Sequence, residues 1–203
     1  MKIVFTITTL LLLSTQASLL AQPGNTSDYL ALNSGDTLFG TVKHVDQRGM
    51  SPKFYKKIRL TDSRSKRKKY KRNDVSAFRV NNTSYEGFWL YQSSQLIVFL
   101  NPKYDIDSQN GERYFLRVIS KGQLSHYLLE WWDQEGSSLS WMDLLKKEED
   151  QYFLRATQGI FGLKRKALAN YFFNCPDLKD QIEQKRIKEV WQVVDFYNRN
   201  CTY

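Results

Sequence analysis

Short runs of β-favouring residues, separated by short polar turns, fill most of this 203-residue chain and limit its fold more than any other feature. Because no long helical crossover separates the runs, neighbouring strands are expected to pair antiparallel. A helical pattern follows the last run. We therefore predict an α+β protein, with a mostly antiparallel sheet or open roll inside a β-rich domain at 22–163. A helical segment at 164–203 is expected to pack on it.

The clearest hairpin joins Tyr114–Ser120 to Leu124–Trp131 through Lys121-Gly122. Its glycine suits a turn position with positive φ. The other extended runs are Tyr29–Leu32, Thr37–Val45, Lys53–Leu60, Lys68–Val80, Tyr85–Tyr91 and Gln95–Leu100. These runs predict at least three hairpins before the helical segment.

The pattern changes in the last third of the chain. Residues Asp133–Asp150 carry glycine, serines and a mixed charge cluster, which indicates a loop with a short helix at Leu139–Lys147. A last hairpin is predicted over Gln151–Leu163. Helical spacing then appears at Lys166–Phe173 and at Asp177–Asn198, where the preceding Pro176 suits the first turn of a helix.

The first 21 residues have the pattern of a secretory signal peptide. Lys2 precedes an apolar run from Ile3 to Leu20, and Ala21 is a small residue at the expected cut, with a cut after Ala17 as the alternative. A single anchoring helix is the other interpretation, since the run is close to the roughly 20 residues that span a bilayer. We predict export to the periplasm, the outer-membrane surface or the medium, with no transmembrane segment left after cleavage.

Export would place the two cysteines, Cys175 and Cys201, in an oxidising compartment where they can pair. One unbroken helix over Pro176–Asn198 would be about 33 Å long. It would keep the cysteines far beyond the roughly 4–7 Å Cα separation of a disulfide. The apolar spacing slips near Lys185-Arg186, so we predict a bend there and a disulfide. A straight helix with two free thiols is the alternative.

Positive charge is concentrated in one segment. The full chain has a net charge of +9, which falls to +8 when Lys2 leaves with the signal peptide. Ten basic residues and one acid, Asp62, give the segment 56–72 a net charge of +9 by itself, so the rest of the mature chain is close to neutral. The ten are Lys56, Lys57, Arg59, Arg64, Lys66, Arg67, Lys68, Lys69, Lys71 and Arg72.

Such a concentration predicts a contact surface for an anionic partner. The segment resembles a nucleic-acid patch, but export argues against nucleic acid. An anionic polymer, a lipid head group or an envelope protein fits the compartment better. The alternative is a solvated run that only protects an exposed strand from aggregation.

Signals for an enzyme are weak. His44 and His126 lie far apart in separate predicted strands, without the spacing of metal ligands. No nucleophile elbow, phosphate-binding glycine loop or HExxH motif is present. Glu148, Glu149 and Asp150 form a carboxylate run, but a glycosidase needs two carboxylates brought together by the fold. We expect no catalytic residue, no metal and no cofactor.

Several short motifs resemble one family. Gly35–Gly40, Tyr114–Arg117 with Lys121-Gly122, and Asn174–Leu178 followed by Tyr197-Asn198 are similar to an uncharacterised exported family of Bacteroidetes-type Gram-negative bacteria. The resemblance implies export and no established activity, so it assigns no catalytic residue. The basic run is heavier than the family pattern implies.

The predicted function is therefore a non-enzymatic envelope or secreted binding module, with the basic segment as its contact surface. The alternatives are a hydrolase of envelope polymers and a structural subunit of an envelope assembly. A cavity with two carboxylates, or His126 beside an acid, would favour the hydrolase. One exposed basic hairpin on a solid core would favour binding, and a large exposed apolar patch would favour the structural subunit.

Overall fold

The computed structural model describes residues 28–44, 57–91, 103–133, 138–157 and 162–201. Within these ranges the chain forms twelve strands and three α-helices. The strands are β1 (Tyr29–Leu32), β2 (Thr37–Phe39), β3 (Thr41–His44), β4 (Lys57–Thr61), β5 (Arg67–Lys71), β6 (Val75–Val80), β7 (Thr83–Tyr91), β8 (Lys103–Ile106), β9 (Glu112–Ser120), β10 (Leu124–Asp133), β11 (Ser138–Lys147) and β12 (Tyr152–Arg155). The helices are α1 (Arg165–Tyr171), α2 (Pro176–Glu183) and α3 (Val190–Asn200).

Six of the strands close into a ring. The order is β7, β8, β12, β11, β10, β9 and back to β7, with every pairing antiparallel. Leu90 on β7 shows the closure directly, because it is paired with Ile106 of β8 on one edge and Glu112 of β9 on the other.

Apolar side chains from all six strands fill the interior of the ring. At its centre, Phe88, Tyr127 and Phe153 meet edge to face, with centroid distances between 4.8 and 5.5 Å. Their buried neighbours are Leu90, Tyr104, Leu116, Leu129 and Leu144. Because these aromatic side chains pack edge to face among buried neighbours, the interior of the ring is a packed hydrophobic core.

A second, smaller sheet is attached beside the ring. Strands β6, β1 and β2 extend the large sheet from the first half of β7, whereas β3, β4 and β5 form a separate three-stranded sheet. Val42, Ile58 and Leu60 of the small sheet pack against Leu30 and Phe78 of the extension. The small sheet therefore buries one face and leaves the other to solvent.

The chain enters the small sheet at Gly40 and leaves it through a single 3₁₀ turn at Arg72–Asp74. Gly40 lies so close to the carbonyl of Thr61 that a Cβ would collide with it. A larger residue at Gly40 would displace the end of β4, where Thr61 pairs with Thr41 of β3.

The three helices cover the outer side of the ring. Leu124, Leu145 and Leu154 of the ring share one buried cluster with residues such as Phe172 and Val193 of the helical segment. Asn198 of α3 fixes this arrangement by accepting from the backbone N–H of Leu124 at 2.8 Å and donating to its carbonyl at 2.9 Å.

Cys175 and Cys201 form a disulfide, with their Cα atoms 5.6 Å apart. The chain bends between α2 and α3, and Lys185 within the bend has a φ of 60°. Both the predicted disulfide and the predicted bend near Lys185-Arg186 are confirmed.

Lys147, at the end of β11, is buried among aromatic rings. It is only 6% exposed, and its Nζ donates to the carbonyl of Tyr171 at 3.2 Å. The same Nζ lies 4.5, 5.6 and 5.5 Å from the ring centroids of Tyr171, Phe172 and Tyr197. Cation–π attraction to the three rings offsets the cost of removing the Lys147 ammonium group from water.

The α+β class is confirmed, but several elements differ from the prediction. The expected helix at Leu139–Lys147 is wrong, because this segment is the strand β11. The run Thr37–Val45 is divided at Gly40, and Lys68–Val80 is divided by the turn at Arg72–Asp74.

The last predicted hairpin, Gln151–Leu163, contributes one strand, β12, to the ring. An isolated bridge between Thr157 and Leu163 follows it. The predicted strand at 95–100 and the signal peptide lie outside the described residues.

Candidate functional site

The solvent side of the small sheet carries a two-dimensional array of positive charge. The register places Lys43, Arg59 and Lys69 in one row across the three strands, and Lys57 opposite Lys71 in the next. A third row holds Thr41, Thr61 and Arg67. Every described position on this side is therefore lysine, arginine or threonine. We call the surface formed by these eight residues the basic face.

Alternation along the strands produces this face. Ile58 and Leu60 of β4 are buried in the core, so Lys57, Arg59 and Thr61 must point the other way. The residues paired with them across the sheet share their side.

The charges of the basic face have no acidic partner in the part of the chain that the structure describes. Within the described ranges, none of its six cations forms an ion pair. Asp62, the acid in the β4–β5 turn, instead accepts backbone N–H groups of Arg64 and Lys66, both at 2.9 Å. Directly opposed cross-strand residues have Cβ atoms about 5 Å apart, where like charges destabilise a sheet. This array therefore costs stability.

The structure brings together half of the ten predicted anion-binding residues. Lys57, Arg59, Arg67, Lys69 and Lys71 all lie on the basic face. Of the other five, Lys56 is outside the described residues, Arg64 and Lys66 follow Asp62 in the β4–β5 turn, Lys68 lies on the opposite side of β5 beside Tyr70, and Arg72 leaves the sheet in the 3₁₀ turn.

The sequence prediction missed Lys43, Thr41 and Thr61. These residues sit on strands neighbouring the basic run, and only the pairing of β3 with β4 brings them to the same side. The alternation of Val42 with Thr41 and Lys43 was the available signal.

Arg72 lies near another cation, Arg113, which is 6% exposed. Arg113 donates to the carbonyl of Val75 at 2.7 Å, and its guanidinium lies 5.5 Å from the ring centroid of Trp89. Burial, and then the charge of Arg72, lower the pKa of Arg113. These contacts indicate a structural role for Arg113 beneath the β1–β6 extension.

A cavity of about 420 Å³ lies at one end of the ring. Its floor includes Phe88 and Tyr127, and two carboxylates, Glu86 and Glu148, are among its lining residues. Glu86 is held by Lys121, whose Nζ donates to both carboxylate oxygens at 2.9 and 3.1 Å. The Tyr127 hydroxyl donates to Glu86 at 2.8 Å and accepts from Lys121 at 2.6 Å.

The protonation of this group follows from its contacts. Burial is the largest influence on the Tyr127 hydroxyl and raises its pKa, against the hydrogen bond from Lys121. Burial acts to lower the pKa of Lys121, but the hydrogen bonds to Tyr127 and Glu86 outweigh it and the pKa is raised. Both groups therefore keep their protons at neutral pH, which does not suit a general base.

His126 lies beside an acid. Its Nε2 is 2.9 Å from Oδ1 of Asp143, and the other oxygen of Asp143 accepts from the Thr157 hydroxyl at 3.0 Å. The histidine is 6% exposed and does not line the cavity at the end of the ring. This arrangement resembles an oriented acid–histidine pair, but its histidine is buried and lies apart from the cavity lined by Glu86 and Glu148.

No group of three or more metal-binding side chains occurs among the described residues. None of the helices in the same part of the chain combines the length and apolar character needed to cross a membrane.

Comparison of the chain with models of known families, with curated proteins and with solved structures gives no match. The resemblance to an exported Bacteroidetes-type family stays a prediction.

Proposed function

We propose that this protein is a non-enzymatic binding module, exported to the cell envelope or secreted, whose basic face contacts an anionic ligand. The ligand class comprises phosphorylated glycolipid, acidic polysaccharide and the anionic face of a membrane. One observation carries the proposal: every described position on the exposed side of the small sheet is cationic or a threonine, and none of these cations has an acidic partner among the described residues.

An anionic ligand would relieve the repulsion within the basic face. The six cations lie in rows about 5 Å apart across the strands, so their potentials add over the whole surface. Binding of negative groups would remove the like-charge cost that the free protein carries.

A purely protective role explains the array less well. Lysines guard a sheet against edge-to-edge association when they lie on edge strands. Here Lys57 and Arg59 occupy β4, the central strand of the small sheet, whose edges are already paired with β3 and β5. Positive charge in that position is unnecessary for edge protection.

The proposed export rests on residues 1–21 and is supported by the disulfide. Disulfides persist in oxidising compartments and are rare in reducing ones. The Cys175–Cys201 bond is therefore compatible with an exported protein, as is the resemblance to an exported family.

Vesicle and polysaccharide binding at two salt concentrations tests the proposal. We would measure Kd for phosphatidylglycerol-containing vesicles and for alginate, with phosphatidylcholine vesicles and dextran as neutral controls. Screening shortens the reach of charge from about 30 Å at 0.01 M salt to about 8 Å at 0.15 M. We expect binding to at least one anionic probe, weakened at least tenfold across this range.

A charge-matched pair of variants localises the binding. Lys57→Gln, Lys69→Gln and Lys71→Gln together neutralise three positions of the basic face, whereas Lys166→Gln, Lys185→Gln and Lys188→Gln neutralise three exposed lysines of the helical segment. We expect the first triple variant to lose most of the binding and the second to keep it. Equal losses, or an affinity independent of salt, would contradict the proposal.

The second candidate is a hydrolase of envelope polymers. It is favoured by the cavity lined by Glu86 and Glu148 and by the contact between His126 and Asp143. Against it, Lys121 and Tyr127 already engage Glu86, and His126 lies elsewhere. Release of reducing ends from envelope polysaccharide, abolished by Glu86→Gln or Glu148→Gln, would establish the hydrolase instead.

The structural-subunit alternative has less support. The exposed large apolar residues are Phe39, Tyr91, Ile119, Trp141, Phe173 and Trp191. Among the described residues, they come from different parts of the chain, and their exposure is recorded only for the individual side chains.

A further inference from the structure

One corner of the basic face is concave. A depression of about 310 Å³ is lined by Thr41, Lys43, Arg59, Thr61 and Arg67. The pairing explains why these five side chains meet: Thr41, Thr61 and Arg67 form one cross-strand row, and Lys43 and Arg59 stand side by side in the next.

We infer that this depression is a subsite for a phosphate monoester, carried by a lipid head group in a membrane surface. The inference rests on the proposed function of the basic face and adds the chemical group recognised there.

The lining offers donors and positive charge. Two guanidinium groups present rigid forks of N–H donors, Lys43 adds an ammonium group, and Thr41 and Thr61 add hydroxyls. No carboxylate is among the lining residues. A ligand that satisfies this set must present several acceptor oxygens and more than one negative charge.

A phosphate monoester meets both requirements better than the other common anions. It carries about −1.5 to −2 charges at pH 7 and three terminal oxygens, and arginine binds such oxygens in pairs. A carboxylate presents two oxygens and a single charge. A phosphodiester has one charge and two free oxygens.

The position of Thr61 indicates where in the depression the phosphate group would bind. Thr61 is on the central strand, with Thr41 and Arg67 on either side at strand spacings of about 4.8 Å. A phosphate above Thr61 is within reach of the long side chains of Arg59 and Arg67.

The rest of the basic face favours a surface over a free ion or a single polymer chain. Lys57, Lys69 and Lys71 lie beyond the depression and extend the charge in two dimensions. A membrane presents phosphates in a matching plane, whereas a linear polymer would follow only one row.

The test compares two vesicle types of equal surface charge in phosphatidylcholine. Phosphatidic acid presents a phosphate monoester and phosphatidylglycerol a phosphodiester. We expect the protein to bind phosphatidic acid vesicles about tenfold more tightly, because the arginine forks and hydroxyls meet an extra charged oxygen. Equal affinity for the two vesicles would overturn the subsite.

Two variants keep the charge and remove the specific donors. Thr41→Val with Thr61→Val deletes both hydroxyls while keeping β-favouring side chains of similar shape. Arg67→Lys replaces one guanidinium group, with its paired N–H donors, by an ammonium group. We expect both variants to lose most of the preference for phosphatidic acid and to bind phosphatidylglycerol as before, with unchanged circular dichroism. A full preference in both would contradict the assignment.

The outcomes separate the subsite from the proposed function. If the unmodified protein binds neither vesicle type nor alginate, the proposed function itself fails. If it binds both vesicles without preference, only the subsite fails. Tighter binding to phosphomannan, a phosphate-bearing polysaccharide, than to either vesicle would overturn the lipid source.

Discussion

The basic face and the ring differ in whether their charged side chains have partners. Around the ring, Lys121 is paired with Glu86, Arg117 donates to the buried Glu130 at 3.2 Å, and Lys147 is surrounded by three aromatic rings. On the basic face, cations stand opposite cations. Among the described residues, these three cations around the ring therefore have partners, whereas the cations of the basic face have no acidic partner. That difference supports a contact function for the surface.

Removing the disulfide of the helical segment should have the largest effect on stability. Replacing both cysteines by serine removes a bond between residues 26 positions apart, which should lower the free energy of unfolding by about 3.5 kcal/mol in the chain-entropy model. Urea unfolding monitored by circular dichroism measures this loss. Vesicle binding at low denaturant should be unchanged, and a parallel loss of binding would show that the two regions are not independent.

Lysine truncation should have unequal costs in the two regions. Lys147→Ala removes the packed stem and the ammonium group from the aromatic cage, and we expect a loss of about 3 kcal/mol in unfolding free energy. Lys57→Ala on the basic face should cost less than about 0.5 kcal/mol. Urea titrations of both variants provide the comparison. Similar costs would mean that the cage does not stabilise Lys147.

Alkaline pH should destabilise the protein in part through Tyr171, on the helical side. Burial, and then the hydrogen bond to Asp150, raise the pKa of Tyr171 above its ordinary value of 10.0. Because the folded state holds this proton more tightly, its contribution is complete below pH 10 and is lost as the pH rises further. Stability should then fall by up to about 1.4 kcal/mol per pH unit.

Tyr171→Phe provides the control for this pH effect. The variant should be less stable at pH 7, because the backbone N–H of Lys147 loses its acceptor at 3.0 Å, but its stability should fall less steeply above pH 10. Thermal unfolding between pH 8 and about pH 11 measures both slopes. Equal slopes would exclude Tyr171 as the source.

The smallest expected change in stability gives the most direct test of the contrast between the basic face and the ring. Lys69→Glu would place a carboxylate opposite Arg59 and convert a repulsive pair into an attractive one. We expect a gain of about 0.5 kcal/mol in stability together with a loss of binding to anionic vesicles. Lys188→Glu in the helical segment has the same change in charge and should keep the binding. A loss of stability in Lys69→Glu would contradict the repulsion described here.

Local features were predictable from the sequence because they depend on neighbouring residues. The β9–β10 hairpin, the bend that allows Cys175 to reach Cys201, and the concentration of charge on β4 and β5 all follow from short-range patterns. The closure of the ring was not predictable in this way. It depends on the pairings of β7 with β9 and of β8 with β12, which join distant segments without a local signal.

Strand β11 shows why one element was misassigned. Leu144 faces the interior of the ring and Leu145 faces the helices, and both are fully buried. When both faces of a strand are buried, its period-two alternation disappears and an apolar run resembles a helix.

The basic face was half predicted for a related reason: its charge is local, but the contribution of Lys43 and the two threonines depends on strand pairing.

The attachment of the small sheet has a practical consequence. Strands β3 to β5 form a single insertion between β2 and β6, joined at Gly40 and at Arg72–Asp74. A transplanted segment that supplied apolar residues in place of Val42, Ile58 and Leu60 would leave every pairing of the ring in place. The basic face is thus carried by one inserted segment, and a chimaera that replaces this segment should keep the ring while losing the proposed anionic contact surface.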